Sequence, residues 1–340
     1  MDEEEEEEEE ECTRRMWRDA TTTTAAALVA GGAVAAIRRR RRNYAAKCTG
    51  DEQQPARLSV IICTRNEETN IGRTLLSIGM QQRRRRRRRR REAGKGDGVS
   101  NVDDIGESLL PLAEVIVVDG GSEDDTVRIA RRHGAKVMRS APRRSEQLND
   151  GAAAATGEVL LFLHGDVELP PSYRRELHRA VMRGCATTDV GASDSWGAFK
   201  NVHIDDANNV SPTSASPASR APSALSLAIV EIGIALRTEV LSMPYGDQGI
   251  WMTRRVFDEE GGFPKLSFME DYEMVQRLKS RHGRPKLIRA GRNRRSRIVV
   301  SGRRWRKLGV LKTFLVNQAI IFMHHCGVAP DKLRHLYYKF

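Results

Sequence analysis

Three short apolar runs constrain this chain more than any other feature. Leu58, Val60, Ile61 and Ile62 lie in the first, Arg57–Cys63; Val115–Val118 is the second and Val159–Leu163 the third. Each has the length of a strand and is apolar on both alternating faces. Such strands must be covered on both sides, as in a parallel sheet held between helices. Helical patterns fill the gaps. Ile71, Leu75 and Ile78 share one face, and Leu148, Ala152 and Ala155 share another within Glu146–Ala155. Ser122, with Asp125 three residues on, reads as a capping box opening a helix that ends near Gly134. Ala135–Met138 reads as a short third strand. The expected fold is α/β, a Rossmann-like, mostly parallel sheet covered by helices on both faces and joined by right-handed crossovers.

Composition narrows the class. Hydrophobic residues make up 39% and aromatics 5% of 340 residues, which is low for a globular chain. The deficit is local: Asp2–Glu11 is an unbroken acidic run, and Arg38–Arg42 and Arg83–Arg91 are unbroken arginine runs. The rest is a moderately basic globular sequence, which excludes a wholly disordered, collagen-like or multi-span membrane protein. Cys12, Cys48, Cys63, Cys185 and Cys326 are scattered without a C-x-x-C pair. That argues against a disulfide scaffold or structural zinc and fits a reducing compartment. Residues 1–55 read as a disordered acidic and Arg-rich extension. The alternative is a weak anchor at 20–37, with the arginines keeping the following domain cytosolic. The protein is accordingly expected in the cytoplasm or on a membrane facing the cytosol. Residues 56–340 read as one domain, with low-complexity insertions at about 82–110 and 187–222. Trp196–Val202 is a short strand candidate inside the second.

The strands end in Thr64-Arg65-Asn66-Glu67, Asp119-Gly120-Gly121-Ser122 and His164-Gly165-Asp166. In a parallel sheet these ends share the carboxyl edge, where open α/β sheets bind ligands. Asp119 can accept from a base or ribose, and Gly120 lets backbone approach a flat ligand. The chain has no G-x-G-x-x-G and no G-x-x-x-x-G-K-[ST], which argues against a dinucleotide oxidoreductase and a P-loop NTPase. Asp166, directly behind a buried strand, needs a partner or a hard divalent cation, unless it only caps a helix.

The order of these pieces resembles glycosyltransferase family 2, with the GT-A fold. Ser59-Val-Ile-Ile-Cys-Thr-Arg-Asn-Glu67, Val117-Val-Asp-Gly-Gly-Ser122 and Leu161-Phe-Leu-His-Gly-Asp166 carry the likeness. Gly246-Asp247-Gln248, Gly261-Gly262-Phe263-Pro264, Met269-Glu270-Asp271 and Ser301-Gly302-Arg303-Arg304-Trp305 extend it. It spans about residues 57–340 apart from the insertions and looks closest to a small single-domain subgroup with a His-x-Asp motif. The resemblance implies an inverting glycosyltransferase that moves a sugar from a nucleotide-sugar to an acceptor hydroxyl. It implies Mn²⁺ or Mg²⁺ on Asp166, with His164 standing where the family has the first Asp of D-x-D. Thr64, Arg65, Glu67, Asp119, Gly120 and Ser122 would hold the nucleotide, with Arg143 and Gln147 near it. Asp247 and Gln248 would meet sugar hydroxyls. Arg304 and Trp305 would match the R-W of Q-x-x-R-W, with Ser301 in place of the glutamine. Asp271 would be the general base and Glu270 its neighbour.

The acceptor is left open between a glycan, a small molecule and a lipid-linked compound. Val310–Met323 reads as a helix packed on the domain in preference to one in a membrane interface, with Thr313, Asn317 and His324 on a narrow polar face. His324 and His325 read as structural. Two other functions fit the sequence less well. A nucleotidyltransferase would want a Gly-rich loop after the first strand, and Cys63–Glu68 has no glycine. Nucleic-acid binding through the arginine runs lacks interleaved aromatics.

Overall fold

Strand β1 (Leu58–Thr64) is buried along its whole length. It pairs in parallel with β2 (Leu112–Asp119) on one side and β4 (Val159–His164) on the other. Strand β3 (Lys136–Arg139) extends the parallel set beyond β2. Beyond β4, β8 (Ile250–Thr253) runs antiparallel, β6 (Trp196–Phe199) runs antiparallel to β8, and β9 (Lys286–Ile288) runs parallel to β6. The result is a seven-stranded sheet in the order 3-2-1-4-8-6-9. A three-stranded sheet joins β5 (Val167–Glu168), β10 (Ile298–Ser301) and β7 (Val202–Asp205) in the order 5-10-7. This computed structural model describes residues 56–80, 109–182, 195–205, 223–289 and 297–339. The extension, both arginine runs, Cys12, Cys48 and Cys185 lie outside them.

Alternation along β1 builds two cores. Leu58, Val60 and Ile62 pack with Ile71 and Leu75 of α1 (Ile71–Ser77) and Leu177 and Val181 of α4 (Tyr173–Met182). Ile61 and Cys63 face the other way. They belong with Leu148 and Ala152 of α3 (Arg144–Ala154), Val256 and Phe257 of α6 (Arg254–Glu260), and Met274 and Val275 of α7 (Glu270–His282). Helix α3 comes very close to the sheet at Gly151, where an added Cβ would stand 2.4 Å from Ile61 Cγ2 and 2.9 Å from Val118 Cγ2. The α/β layering follows the apolar runs, and the departures from pure parallel pairing begin at β8, after the run of βα units ends.

Two expectations are corrected. Helix α2 (Thr126–His133) starts later than Ser122, and its N-cap residue Asp125 makes no side-chain capping bond. Ser122 Oγ instead accepts from Asn66 N at 2.9 Å, because the loop after β1 lies across the helix entry. Residues 195–205, inside the stretch assigned to an insertion, form β6 and β7, and Trp196, Phe199, Val202 and Ile204 are core residues. Leu110, at the end of the other assigned insertion, is also fully buried. Cys63 is a buried free thiol and Cys326 an exposed one.

The C-terminal part adds α8 (Arg303–Leu308), α9 (Val310–His325) and α10 (Pro330–Lys339). Helix α9 packs on the domain through Thr313 and Ile320. Its other face exposes Leu311, Leu315 and Phe322, and α5 (Ala224–Leu236) exposes Leu225, Ile229, Ile232 and Leu236. No helix among the described residues is long and apolar enough to cross a membrane.

Two glycine substitutions test this packing. Gly151→Val should destabilise by about 1–3 kcal/mol or more, because the added atoms have no room between α3 and the sheet. Gly233→Ala, in open space on α5, should stabilise by about 0.5–1 kcal/mol. Urea unfolding of both variants checks the pair.

Candidate active site

Two loops at the carboxyl edge are clasped together. Asn66 adopts a left-handed conformation with φ 56°, and its Oδ1 accepts from Glu123 N at 2.9 Å. Glu67 N donates to Thr126 Oγ1 at 2.7 Å, Glu68 N to Asp124 Oδ2 at 3.1 Å, and Asp125 N to Glu68 Oε2 at 3.1 Å. Asp119 is fully buried, and its carboxylate accepts from the backbone N–H groups of Gly121 and Ser122 at 3.2 Å. Gln147 donates from Nε2 to Thr64 O at 2.9 Å and Val118 O at 3.1 Å, tying the ends of β1 and β2 to α3. Asp119, Gly120 and Ser122 thus brace the rim and lie outside the cavity wall, whereas Thr64, Arg65, Glu67 and Gln147 line it.

That cavity has two adjoining chambers. The first, about 640 Å³, is lined by Arg65, Arg143, Arg144, Arg303, Arg304 and Arg334 among others. Thr64 Oγ1, in its wall, is buried without a hydrogen-bond partner. Arg303 Nη2 donates to Glu67 Oε1 at 2.6 Å and Asp166 Oδ2 at 3.0 Å. Burial, followed by the Asp166 charge, raises the Glu67 carboxyl above its usual range despite Arg303. Among the described residues no group of three or more His, Cys, Asp or Glu side chains forms a metal cage. Asp166 is a cleft carboxylate held only by one guanidinium. That donor set fits a hard cation shared between one carboxylate and a ligand's phosphate oxygens, the usual mode for Mg²⁺-type ions.

The second chamber, about 280 Å³, shares Arg144, His164, Asp166 and Arg304 with the first. Asp271 stands in its wall, with Oδ2 accepting from Gly246 N at 2.9 Å and Oδ1 from Tyr272 N at 2.8 Å. A Cβ on Gly246 would come 3.0 Å from both Asp271 Oδ2 and His164 Nε2, so glycine lets carboxylate and imidazole approach this turn together. Burial would push the Asp271 carboxyl up. The charge of Arg144 and the N–H of Gly246 outweigh it, and the group is held below its ordinary value. Burial, then Arg144, lowers the His164 imidazole. Glu270 is buried and pairs with Arg144 Nε at 2.8 Å; burial nonetheless raises its carboxyl. Met269, just before them, is held left-handed at φ 66°.

Asp247 also lines this chamber, and burial raises its carboxyl to about 6. Gln248 lies outside both chambers. Its Nε2 donates to Phe199 O and Thr238 Oγ1 at 3.0 Å, and its Oε1 accepts from Arg237 Nη2 at 2.8 Å. It holds the turn before β8 and has no atom left for a ligand. Arg304 donates to Tyr337 O at 3.0 Å and stacks over the Tyr337 ring at 3.5 Å, and Trp305 forms part of the second chamber's wall.

Residues 59–201 match the profile described as Glycosyl transferase family 2. That segment, less than half of this chain, is similar to glycosyltransferase family 2. A glucosyl-3-phosphoglycerate synthase of Petrotoga mobilis is 25% identical over 126 residues, 34% of this chain and 32% of that protein. The chain therefore spans about a third of the length of this curated relative. The mannosyltransferase PcManGT of Pyrobaculum calidifontis, solved with GDP-Man and Mn²⁺, aligns over 91% of this chain and 76% of its own, with TM-score 0.44 and 18% identity. TarS 1–349 of S. aureus aligns over 72% and 60%, with TM-score 0.43 and 16% identity.

Sequence reasoning missed several wall residues. Tyr245, Phe268, Arg334 and Tyr337 come from a turn, a loop and the last helix, and carry no local signal. Arg143 and Arg144, neighbours at the start of α3, both line the first chamber, and Arg143 also pairs with Glu146 at 3.5 Å. Thr313 and Asn317 had a signal in the narrow polar stripe of α9, and both line the second chamber. His324 pairs with Glu273 at 2.7 Å and His325 with the Tyr272 hydroxyl at 2.7 Å, both outside the chambers' walls.

Asp247 makes a pH prediction. Its folded carboxyl, near 6, binds a proton more tightly than the unfolded one, near 3.8. Stability from this group is present below about 4 and lost as pH rises through about 6. Asp247→Asn should remove that loss, so its stability advantage over wild type grows from pH 4 to pH 7. Urea unfolding at several pH values reads the difference.

Proposed function

We propose that this protein is an inverting, nucleotide-sugar-dependent glycosyltransferase, with the donor's diphosphate in the first chamber and the acceptor hydroxyl in the second. One observation carries the reading. The oriented carboxylate of Asp271 stands in the wall of the second chamber, which shares Arg144, His164, Asp166 and Arg304 with the guanidinium-rich first chamber. The match of residues 59–201 to the family 2 glycosyltransferase profile supports sugar transfer as the reaction class.

The chemistry assigned to the chain's own groups is direct displacement. The acceptor oxygen attacks the anomeric carbon while the bond from that carbon to the diphosphate oxygen breaks, and one displacement inverts the centre. Asp271 takes the hydroxyl proton. The bonds from Gly246 N and Tyr272 N fix the carboxylate, and the charge of Arg144 keeps it ionised. The acceptor loses its proton as it attacks, so an oriented base of low basicity can serve. Arg144, anchored on Glu270, and the nearby arginines meet the growing negative charge of the leaving diphosphate. Asp166 would hold Mn²⁺ or Mg²⁺, which when bound supplies further neutralisation of that diphosphate.

Asp271→Asn should lower turnover by about 10² to 10⁴, with the donor's KM and the melting temperature nearly unchanged. Glu270→Gln should act differently, loosening Arg144 and raising the donor's KM. Nucleoside diphosphate release measures both. Wild-type turnover in both variants would place the base elsewhere. Asp166→Asn should weaken nucleotide binding in Mn²⁺ and leave binding in EDTA unchanged, as read by calorimetry. Equal loss in both media would remove the metal role.

A further inference from the structure

We propose that the second chamber accepts an uncharged polyhydroxylated group, and that Asp247 and Asn317 select it against carboxylated or phosphorylated acceptors. The word acceptor rests on the glycosyltransferase reading above.

Charge is divided sharply between the chambers. Arg65 and Arg334 reach only the first and have no ion-pair partner among the described residues. Of the two arginines that reach the second, Arg144 pairs with Glu270 at 2.8 Å, and Arg304 donates to Tyr337 O at 3.0 Å with its Nε left without a partner. Against them stand Asp166, Asp247 and Asp271. An anionic acceptor would bring like charge beside three carboxylates, with Arg304 the one guanidinium of this chamber not paired to a carboxylate among the described residues.

The unused polar atoms suit hydroxyls. Asp247 Oδ1 is buried with no hydrogen-bond partner. Leaving such an acceptor unmet costs about 1–3 kcal/mol, which a ligand O–H would relieve. Asn317 lines the same space, and its side chain makes no hydrogen bond to another described residue. Its amide can both donate and accept, as a hydroxyl requires. Tyr245, Tyr272 and Trp305 contribute flat apolar surface for the C–H face of a sugar ring or polyol. At about 280 Å³, the space lies just under the roughly 300–1,000 Å³ of pockets for drug-sized ligands. It suits one ring or one short polyol.

The test compares methyl α-D-glucopyranoside with its 6-carboxylate, the methyl glucuronide, a pair differing by one charge. Both are titrated by saturation-transfer NMR into the full chain saturated with Mn²⁺ and whichever of UDP or GDP binds. The neutral glycoside should bind at least about tenfold tighter. Asp247→Asn should cut that ratio to about threefold or less by admitting the glucuronide, and Asn317→Ala should weaken the neutral glycoside several-fold. Unchanged nucleotide affinity shows that each variant is folded; should Asp247→Asn not fold, the wild-type ratio and Asn317→Ala decide. Glucuronide binding as tight as the glycoside, a ratio unmoved by Asp247→Asn, or no glycoside binding to nucleotide-loaded protein would each overturn the proposal. Absence of any nucleotide binding would instead defeat the glycosyltransferase reading, and this inference with it.

Discussion

The parallel pairing of β1 with both β2 and β4 is the constraint on which the rest depends. All seven residues of β1 are buried, and ladder bonds run along both edges. A strand buried that way cannot shift register without turning its apolar residues from one core to the other. The ends of three strands are thereby held at one edge, and Thr64, Asp119 and His164 arrive there together. The polar clasp from Asn66 to Ser122 and from Glu67 to Thr126 then stiffens the loops above. Much of the polar character at this edge is structural, and it leaves a smaller set of groups facing the cleft.

Within that set, the Arg144–Glu270 pair connects the two chambers. Removing two charges from water is costly, and a buried pair is weak evidence for stability. Its use here is positional. Glu270 fixes the guanidinium, and the guanidinium sets the electrostatic field felt by Asp271 and His164. The backbone follows the same logic. Met269 is held left-handed to bring the first turn of α7 against the Gly246 turn, and non-glycine residues in that region tend to persist where surrounding structure over-determines them.

The sheet was legible because β1, β2 and β4 are continuous apolar runs with polar ends. β6 and β7 were not. Their buried residues Trp196, Phe199, Val202 and Ile204 lie in a Ser-, Ala- and Asn-rich neighbourhood, and composition averaged over that stretch assigned it to an insertion. Ser122 carried a capping pattern, yet tertiary contact with Asn66 took its hydroxyl. Asp271 and Glu270 read locally as a helix start; only the family resemblance marked them for chemistry. Gln147 and Gln248 looked like ligand groups, but buried carbonyls at strand ends need donors: Gln248 is fully used there, and Gln147 gives its Nε2 while lining the first chamber. Arg334 and Tyr337 reach the cleft through the packing of α10, a relation no local pattern encodes.

The central claim is that the arginine-lined chamber at the carboxyl edge is built for a nucleotide-sugar. Thermal unfolding in a panel of UDP- and GDP-sugars, each with and without Mn²⁺, tests it most directly. At least one donor should raise the melting temperature in a concentration-dependent way, with a larger shift in Mn²⁺ that Arg65→Ala reduces. A panel in which no nucleotide-sugar protects the wild-type protein would contradict the account.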